Sequence, residues 1–130
     1  MSENFSLEII GPENTILKTE AKQVTIPSFE GLMSILKDHI SLVTFLRPGL
    51  IEVKKDKGDE KFFVEDGTVE LNNNNLLILS STAKNIKELS KDRMDEMIKD
   101  SEKKIKEEKI IDKERYVLSY KIDTLKEIRQ

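Results

Sequence analysis

Few residues in this 130-residue chain could carry out chemistry, and none of them lies in a recognisable catalytic arrangement. The carboxylate pairs Asp59-Glu60 and Glu65-Asp66 lie beside glycines, and adjacent residues on a strand point to opposite faces of a sheet. These pairs therefore favour turn formation and solvation over general acid–base catalysis. The one histidine, His39, has no cysteine or serine to activate and no fellow ligands, which favours a contact role in a surface loop.

The composition also excludes several classes of site. There is no cysteine, so the sequence offers no disulfide, no thiolate metal site and no thiol nucleophile, and one histidine is too few for a typical zinc or iron site. No GxxxxGK[ST], GxGxxG, GxSxG or HExxH pattern occurs. The sequence therefore predicts no enzyme, no metal and no resident cofactor.

The charge balance bears on partners and location. The 22 Lys and Arg residues against 25 Asp and Glu give a net charge of −3, which argues against a nucleic-acid-binding protein. No apolar run approaches the roughly 20 residues of a membrane span. The N-terminal stretch MSENFSLEII lacks the basic and apolar pattern of a signal peptide. We expect a soluble, cytoplasmic protein.

Glycine and proline divide the chain into two parts. All five glycines and all three prolines precede residue 68, whereas residues 85–130 contain neither and carry mostly charged side chains. Such a change predicts a boundary near Ala83–Asn85. We therefore expect one domain over residues 1–84 and a second over residues 85–130.

The first part is typical of short antiparallel strands. Segments that alternate apolar and polar residues are separated by turn sequences such as Arg47-Pro48-Gly49 and the asparagine run 72–75. Strands this short and evenly spaced predict an all-β sandwich rather than a parallel sheet. The predicted strands include Leu7–Ile9, Gln23–Ile26 (ended by Pro27), Leu42–Leu46, Ile51–Val53, Phe62–Val64, Val69–Leu71 and Leu76–Leu79.

The second part predicts two amphipathic helices that form an antiparallel hairpin. Ser90 can cap the first helix and Asp112 the second. Each apolar stripe is thin, so the hairpin must pack on itself, on the sandwich or on a partner, and can exchange between packings. The two stripes are Met94, Met97, Ile98 and Ile105, and Val117, Leu118, Ile122, Leu125 and Ile128, with Tyr116 and Tyr120 beside the second.

Three ordered segments resemble the ε subunit of the bacterial F-type ATP synthase, which is equivalent to the mitochondrial δ subunit. They are LEIIGPENTILKTEAKQVTIP, EGLMSILKDHISLVTFLRPGLIEV and FFVEDGTVELNNNNLLILSSTA. No segment is as specific as a phosphate-binding loop, but their order and spacing match the family over essentially the whole chain. The resemblance implies a β-sandwich of about ten strands followed by a C-terminal antiparallel α-helical hairpin.

The resemblance also implies a role and partners. Family members are non-catalytic subunits of the central stalk that bind the γ subunit and the ring of c subunits and turn with them, coupling ion translocation to ATP synthesis. The implied interface with the c-ring and stalk lies in a loop that holds Gly31, Leu32 and His39. Membrane association would come only through the complex, as a peripheral subunit on the cytoplasmic face of the bacterial inner membrane.

In many members of the family the helical hairpin also regulates ATP hydrolysis. It folds beside the sandwich or extends into the catalytic headpiece, where its basic residues face an acidic segment of a catalytic β subunit and block ATP hydrolysis. A solvated helix face would show the same excess of positive charge, so both interpretations stay open. The matching cations here are Lys113, Arg115, Lys121, Lys126 and Arg129.

Some relatives bind ATP through an [IL]-D-x-x-R-A motif at the start of the first helix. Leu89 and Arg93 match this motif, but Ser90 and Met94 replace its aspartate and alanine, and Asp100 stands where a second arginine is usual. Ser90 is already explained as an N-cap, and an acidic residue would repel a triphosphate. We therefore expect Leu89 and Arg93 to be a remnant of the motif, with no cofactor bound.

An alternative belongs to another class of protein. The chain could be a stand-alone binding module, with a concave apolar ligand site on the sandwich and a helical hairpin that dimerises. The state in solution distinguishes the two. A rotor subunit should be a monomer that binds a partner, whereas the module should pair with itself.

Overall fold

The computed structural model describes residues 3–130, and the first two residues of the predicted sandwich, 1 and 2, lie outside the described part. Ten strands precede two helices. The strands are β1 (Phe5–Ile10), β2 (Thr15–Ala21), β3 (Gln23–Ser28), β4 (Gly31–Leu36), β5 (Leu42–Leu46), β6 (Gly49–Lys55), β7 (Gly58–Val64), β8 (Gly67–Asn72), β9 (Asn75–Leu79) and β10 (Lys84–Asn85). A 3-10 turn (Ile86–Glu88) leads to α1 (Lys91–Ile105) and α2 (Asp112–Arg129).

The strands form a sandwich because one hydrogen-bonded path folds over itself. The order along this path is β10-β7-β6-β3-β5-β8-β9-β1-β2, and β4 pairs with β3 beside it. Pairing is antiparallel except between β1 and β9, which run parallel. β2, at one end of the path, contacts β6 near the other end. The predicted all-β sandwich is therefore confirmed.

Alternate residues along each strand fill the sandwich core. In β1, Phe5, Leu7 and Ile9 are buried while the residues between them are not, as expected when successive side chains point to opposite faces. Buried side chains from β1 to β9 join in one apolar cluster, which we call the sandwich core. Among residues 3–130, neither helix contributes a side chain to this cluster.

The two helices run antiparallel, as predicted. Arg129 at the end of α2 accordingly pairs with Asp95 near the start of α1. The Ser90 cap of α1 is confirmed, since the Ser90 hydroxyl accepts a hydrogen bond from the Arg93 N–H at 3.1 Å. The predicted cap of α2 is wrong. Asp112 is the first helical residue, and the cap position before it makes no side-chain hydrogen bond.

Two predictions about the third and fourth strands are also wrong. β3 continues through Pro27 to Ser28, and although Pro27 has no N–H to donate, its carbonyl accepts a hydrogen bond from the Arg47 N–H at 2.9 Å. The segment that starts at Gly31 was expected to be a loop but forms β4, paired along its length with β3. Burial alternates along β4, but its exposed positions include Leu32 and Leu36, so the sequence lacks the usual alternation of apolar and polar residues.

Two further properties of the described residues concern membrane-spanning helices and groups of metal-binding side chains. No helix within residues 3–130 is long and apolar enough to cross a lipid bilayer. The same residues contain no group of three or more His, Cys, Asp or Glu side chains placed to hold a metal ion.

Candidate functional site: the docked helical hairpin

The helical hairpin packs on β6 and β7 through a second apolar cluster, which we call the docking cluster. Its buried members are Phe63, Met94, Ile98, Ile122 and Leu125, and Leu50, Ile86, Leu89, Met97, Ile105 and Ile128 pack around them. Phe63 is 1% exposed and is the only one of these buried side chains that belongs to the sandwich. Its neighbour Phe62 points the other way, into the sandwich core, because adjacent residues on β7 face opposite sides.

A cluster of one cation and three aromatic rings holds α2 against the turns at one end of the sandwich. The Arg47 guanidinium carbon lies 3.8 Å from the ring centroid of Tyr120, and Arg47 Nη1 donates to the Pro48 carbonyl at 3.0 Å. Tyr116 packs edge-to-face on Tyr120 and stacks on Phe29, with centroid distances of 4.8 and 6.2 Å. Arg47 is only 9% exposed, and cation–π contacts are strongest when they are removed from water.

A partly buried ion pair adds a charged contact between the sandwich and α2. Lys121 Nζ lies 2.6 Å from Glu65 Oε1, and the two side chains are 19% and 33% exposed. Thr82 fixes the backbone beside this carboxylate, because its hydroxyl accepts hydrogen bonds from the Glu65 and Asp66 N–H groups at 2.9 and 3.3 Å. The sandwich therefore holds Glu65 in place to receive a cation from the helix.

Three of the five predicted inhibitory cations already have carboxylate partners within this chain. The pairs are Lys121–Glu65 at 2.6 Å, Lys126–Glu102 at 3.7 Å and Arg129–Asp95, in which a second contact from Nη2 measures 3.3 Å. Lys113 and Arg115 are exposed and form no ion pair with any residue from 3 to 130. Of these three pairs, that of Lys121 joins α2 to the sandwich, whereas those of Lys126 and Arg129 join α2 to α1.

Within residues 3–130, three groups have shifted pKa values, and none of the three titrates near neutral pH. A hydrogen bond with Tyr120 raises the pKa of the Tyr116 phenol, while the charge of Arg47 acts in the opposite direction. At the far end of the sandwich, the contact between Lys22 and Asp56 raises the pKa of the lysine and lowers the pKa of the carboxyl group. All three shifts move the titration away from neutrality, so these groups keep their ordinary charge.

The structure does not bring Gly31, Leu32 and His39 together. Gly31 begins β4 with φ at +122°, and Leu32 follows it with 71% of its surface exposed. His39 lies beyond the other end of β4, in the loop to β5, where its Nδ1 is 2.8 Å from the Ile40 carbonyl oxygen. The expected single loop is therefore two surfaces at opposite ends of a strand.

Leu89 and Arg93 are engaged in local structure. Leu89 packs at the edge of the docking cluster, and Arg93 Nη1 pairs with Glu96 at 3.2 Å. The nearby surface of α1 forms a shallow cavity of about 530 Å³ whose lining includes three carboxylates and one lysine, Lys99. Carboxylates thus outnumber cations in this lining, whereas binding of a triphosphate would need converging positive groups.

Large apolar side chains are exposed on the outer face of β5. Val43 and Phe45 are 67% and 60% exposed, although both lie on a regular strand. Phe45 also lines an open groove of about 610 Å³, together with Phe29 and Leu79. Neighbouring exposed apolar side chains of this kind are typical of a protein-binding surface.

Sequence reasoning missed the sandwich side of the docking contact. Arg47 and Glu65 were interpreted as turn residues, because their partners on α2 lie more than 50 residues further along the chain. One signal was available, since Tyr116 and Tyr120 lie one helical turn apart beside the apolar stripe. Such a pair predicts an additional contact surface on α2 but does not identify what it touches.

Comparisons of sequence link the chain to one family. The family described as "ATP synthase, Delta/Epsilon chain, beta-sandwich domain" matches residues 4–86. The ATP synthase epsilon chain of Pelagibacter ubique (strain HTCC1062) is 45% identical over 127 residues, which cover 97% of this chain and 98% of that relative. The sodium-ion-specific ATP synthase epsilon chain of Propionigenium modestum is 32% identical over 110 residues, which cover 82% and 80%.

Comparisons of structure agree on the fold. A chain in the cryo-EM structure of the Euglena gracilis mitochondrial ATP synthase (OSCP/F1/c-ring) superposes with a TM-score of 0.81 at 18% identity, covering 100% of this chain and 84% of that one. A chain in the central stalk and c-ring structure of the Tetrahymena thermophila mitochondrial ATP synthase gives a TM-score of 0.63 at 11% identity, covering 96% of each chain. At these identities the likeness concerns the arrangement of sandwich and helices.

Proposed function

Because the chain belongs to the delta/epsilon chain family of ATP synthases and is a non-catalytic subunit of that complex, we propose that it acts in the rotor of the central stalk. The sandwich binds the γ subunit and turns with it and the ring of c subunits, which couples ion translocation to ATP synthesis. The complex holds the chain peripherally at the cytoplasmic face of the bacterial inner membrane.

The exposed apolar face of β5 supports binding to the stalk. Val43 and Phe45 point away from the sandwich core and stay exposed when the hairpin is docked. Leu32 is another exposed apolar residue, near the β3–β4 turn that carries Phe29. We assign this face to the γ subunit, and both ends of β4 to the interface with the c-ring and stalk, with Gly31 and Leu32 at one end and the loop that contains His39 at the other.

Replacing Phe45 with aspartate tests the assignment to γ. We expect the wild-type chain and the γ subunit of the same organism to elute together from a sizing column as a one-to-one complex. Phe45→Asp should weaken this complex at least about tenfold, since it buries a charge in an apolar interface. Thr15→Asp, which adds the same charge at an exposed position of β2, should leave binding unchanged. A self-dimer that ignores γ would instead support the stand-alone binding module.

The ion pairs of the docked hairpin carry the regulatory part of the proposal. While the hairpin is docked, Lys121, Lys126 and Arg129 are occupied by carboxylates of this chain. When it extends, the contact of Lys121 with Glu65 must break, which frees a cation for the acidic segment of a catalytic β subunit. Docking and inhibition therefore compete for Lys121, and Glu65 favours the active state of the complex.

Glu65→Gln should make the hairpin undock more readily. A partly buried ion pair contributes about 1 kcal/mol, so we expect about a fivefold shift toward the undocked hairpin and lower ATP hydrolysis by the assembled complex. Fluorescence energy transfer between dyes on cysteines introduced at the exposed positions Lys57 and Lys109 measures docking, since the chain has no native cysteine. Glu60→Gln is the matched control, because Glu60 forms its ion pair with Lys55 of β6, at 2.7 Å and at similar exposure, rather than with a helix. Equal effects of the two variants would contradict a specific role of Glu65.

A further inference from the structure

The loop assigned to the c-ring contains a strained residue. The His39 N–H donates to the Leu36 carbonyl at 3.2 Å, which closes a turn over Leu36, Lys37, Asp38 and His39. Asp38 occupies the third position of this turn with φ at +67°, a conformation that usually requires glycine or asparagine there. Strained backbone of this kind persists only where the surroundings hold it, and it concentrates at functional sites.

Two reciprocal hydrogen bonds hold Asp38 in this conformation. The Asp38 N–H donates to Asn74 Oδ1 at 2.7 Å, and Asn74 Nδ2 donates back to Asp38 Oδ1 at 3.0 Å. Asn74 is itself well anchored, because it lies with Asn73 in the tight turn between β8 and β9, where both residues have positive φ. Its carbonyl accepts a hydrogen bond from the Ser6 N–H of β1 at 2.9 Å. The β4–β5 loop is thus tied to the β8–β9 turn, and through that turn to β1.

The residues that follow Asp38 form the exposed tip of the loop. Ile40 is 80% exposed, and Leu36 at the start of the turn is 55% exposed. An exposed isoleucine gains nothing from a fixed position in the free chain, whereas a fixed position helps an interface because less freedom is lost on binding. The two hydrogen bonds therefore fix an exposed surface whose fixed position becomes favourable only when a partner binds it.

We propose that Asp38 and Asn74 form a clamp that presets the orientation of His39 and Ile40 for the contact with the c-ring. Both are positioning residues, since they act through the tip of the loop and need not touch the partner. This inference rests on the proposed function, which assigns the loop to the c-ring. It adds that the strength of that contact depends on Asn74, a residue 36 positions away from Asp38 in the sequence.

Binding to two forms of the rotor tests the clamp. The full-length chain is titrated against the γ subunit alone and against a γ–c-ring complex, so that the ratio of the two affinities isolates the c-ring contribution. Asn74→Ala should lower this ratio about tenfold, since it removes both hydrogen bonds of the clamp. Asp38→Gly should lower it as well, although glycine adopts the positive φ easily, because it removes the side chain that Asn74 binds.

The exchanged pair Asp38→Asn/Asn74→Asp separates positioning from general destabilisation. It keeps the net charge, and the new carboxylate at position 74 can accept from both the backbone N–H and the new amide at position 38. We expect it to restore the affinity ratio to within about twofold, a recovery that follows from remaking the clamp's two hydrogen bonds. Hydrogen exchange of the residue-38 amide should be slow in the wild type and the exchanged pair and fast in Asn74→Ala.

Ile40→Asp shows whether the contact or the clamp has failed. If Ile40→Asp weakens c-ring binding but Asn74→Ala does not, the loop contacts the c-ring but the proposed positioning role of Asp38 and Asn74 is wrong. If Ile40→Asp leaves c-ring binding unchanged, the loop is not the contact, and the positioning role falls with it. Failure of the exchanged pair to recover binding, with slow exchange restored at residue 38, would also overturn the proposal.

Discussion

Phe63→Ala is expected to release the helical hairpin while the sandwich stays folded. Phe63 is buried only by the docking cluster, and removing a buried phenylalanine side chain costs about 3–5 kcal/mol. A loss of about 3 kcal/mol would shift the ratio of docked to undocked hairpin by more than about 100-fold. Energy transfer between dyes at positions 57 and 109 should therefore fall, and ATP hydrolysis by the assembled complex should be inhibited more strongly than with the wild type.

Phe62→Ala is a matched control because it makes the same change at the adjacent residue but removes a side chain from the sandwich core instead of the docking cluster. Phe62 is 2% exposed and belongs to the sandwich core. We expect Phe62→Ala to lower the urea midpoint of the sandwich by an amount that corresponds to about 3 kcal/mol, whereas Phe63→Ala leaves that midpoint close to wild type. If both variants unfolded the sandwich equally, the two clusters would form one cooperative unit and the hairpin could not move independently.

Features set by neighbouring residues could be predicted from the sequence. The asparagine run predicted a tight turn, and Asn73 and Asn74 adopt the positive φ values that such a turn requires. Ser90 predicted the start of α1 three residues before the N–H group that it caps. In each case the deciding interaction lies within a few residues, so the local pattern carries the information.

Features set by distant residues could not be predicted in the same way. β4 was missed because its exposed positions include the apolar residues Leu32 and Leu36, so the sequence shows no alternation of apolar and polar residues although burial alternates along the strand. Arg47 was interpreted as part of a turn, which it is, but its cation lies over Tyr120 in another part of the fold. Without an assignment of the face on which α2 lies, neither this contact nor that of Glu65 follows from the sequence.

The sequence and the structure suggest different places to divide the chain. The change in composition predicted a boundary after residue 84, but that cut would split β10, which pairs Lys84 and Asn85 with β7. The independence of the two parts stays a prediction. A cut after Leu89 keeps β10 and the 3-10 turn and removes both helices, so it is the better test.

The fragment 1–89 is expected to fold, to bind γ and to lose all inhibition by the hairpin. The sandwich core receives no side chain from residues 90–130, so the fragment keeps every contact of that cluster. Phe63→Thr in the fragment replaces the large apolar side chain that the missing helices leave exposed with a smaller, polar one. ATP hydrolysis by the complex should rise about fivefold or more over that with the full-length chain, within the usual range of coupling between a regulatory element and a catalytic site. An unfolded fragment would refute the division into sandwich and hairpin.

A variant with fewer cations distinguishes inhibition by the charges of α2 from inhibition by the space that the helices occupy. Lys113→Gln/Arg115→Gln removes the two cations that form no ion pair within residues 3–130, so the pair of Lys121 with the sandwich and the pairs of Lys126 and Arg129 with α1 remain. If the cations inhibit, this variant should raise hydrolysis part of the way toward the level with the fragment, while energy transfer reports an unchanged hairpin. If only the fragment raises hydrolysis, the helices inhibit by occupying space, and the excess positive charge of α2 is that of an ordinary solvated face.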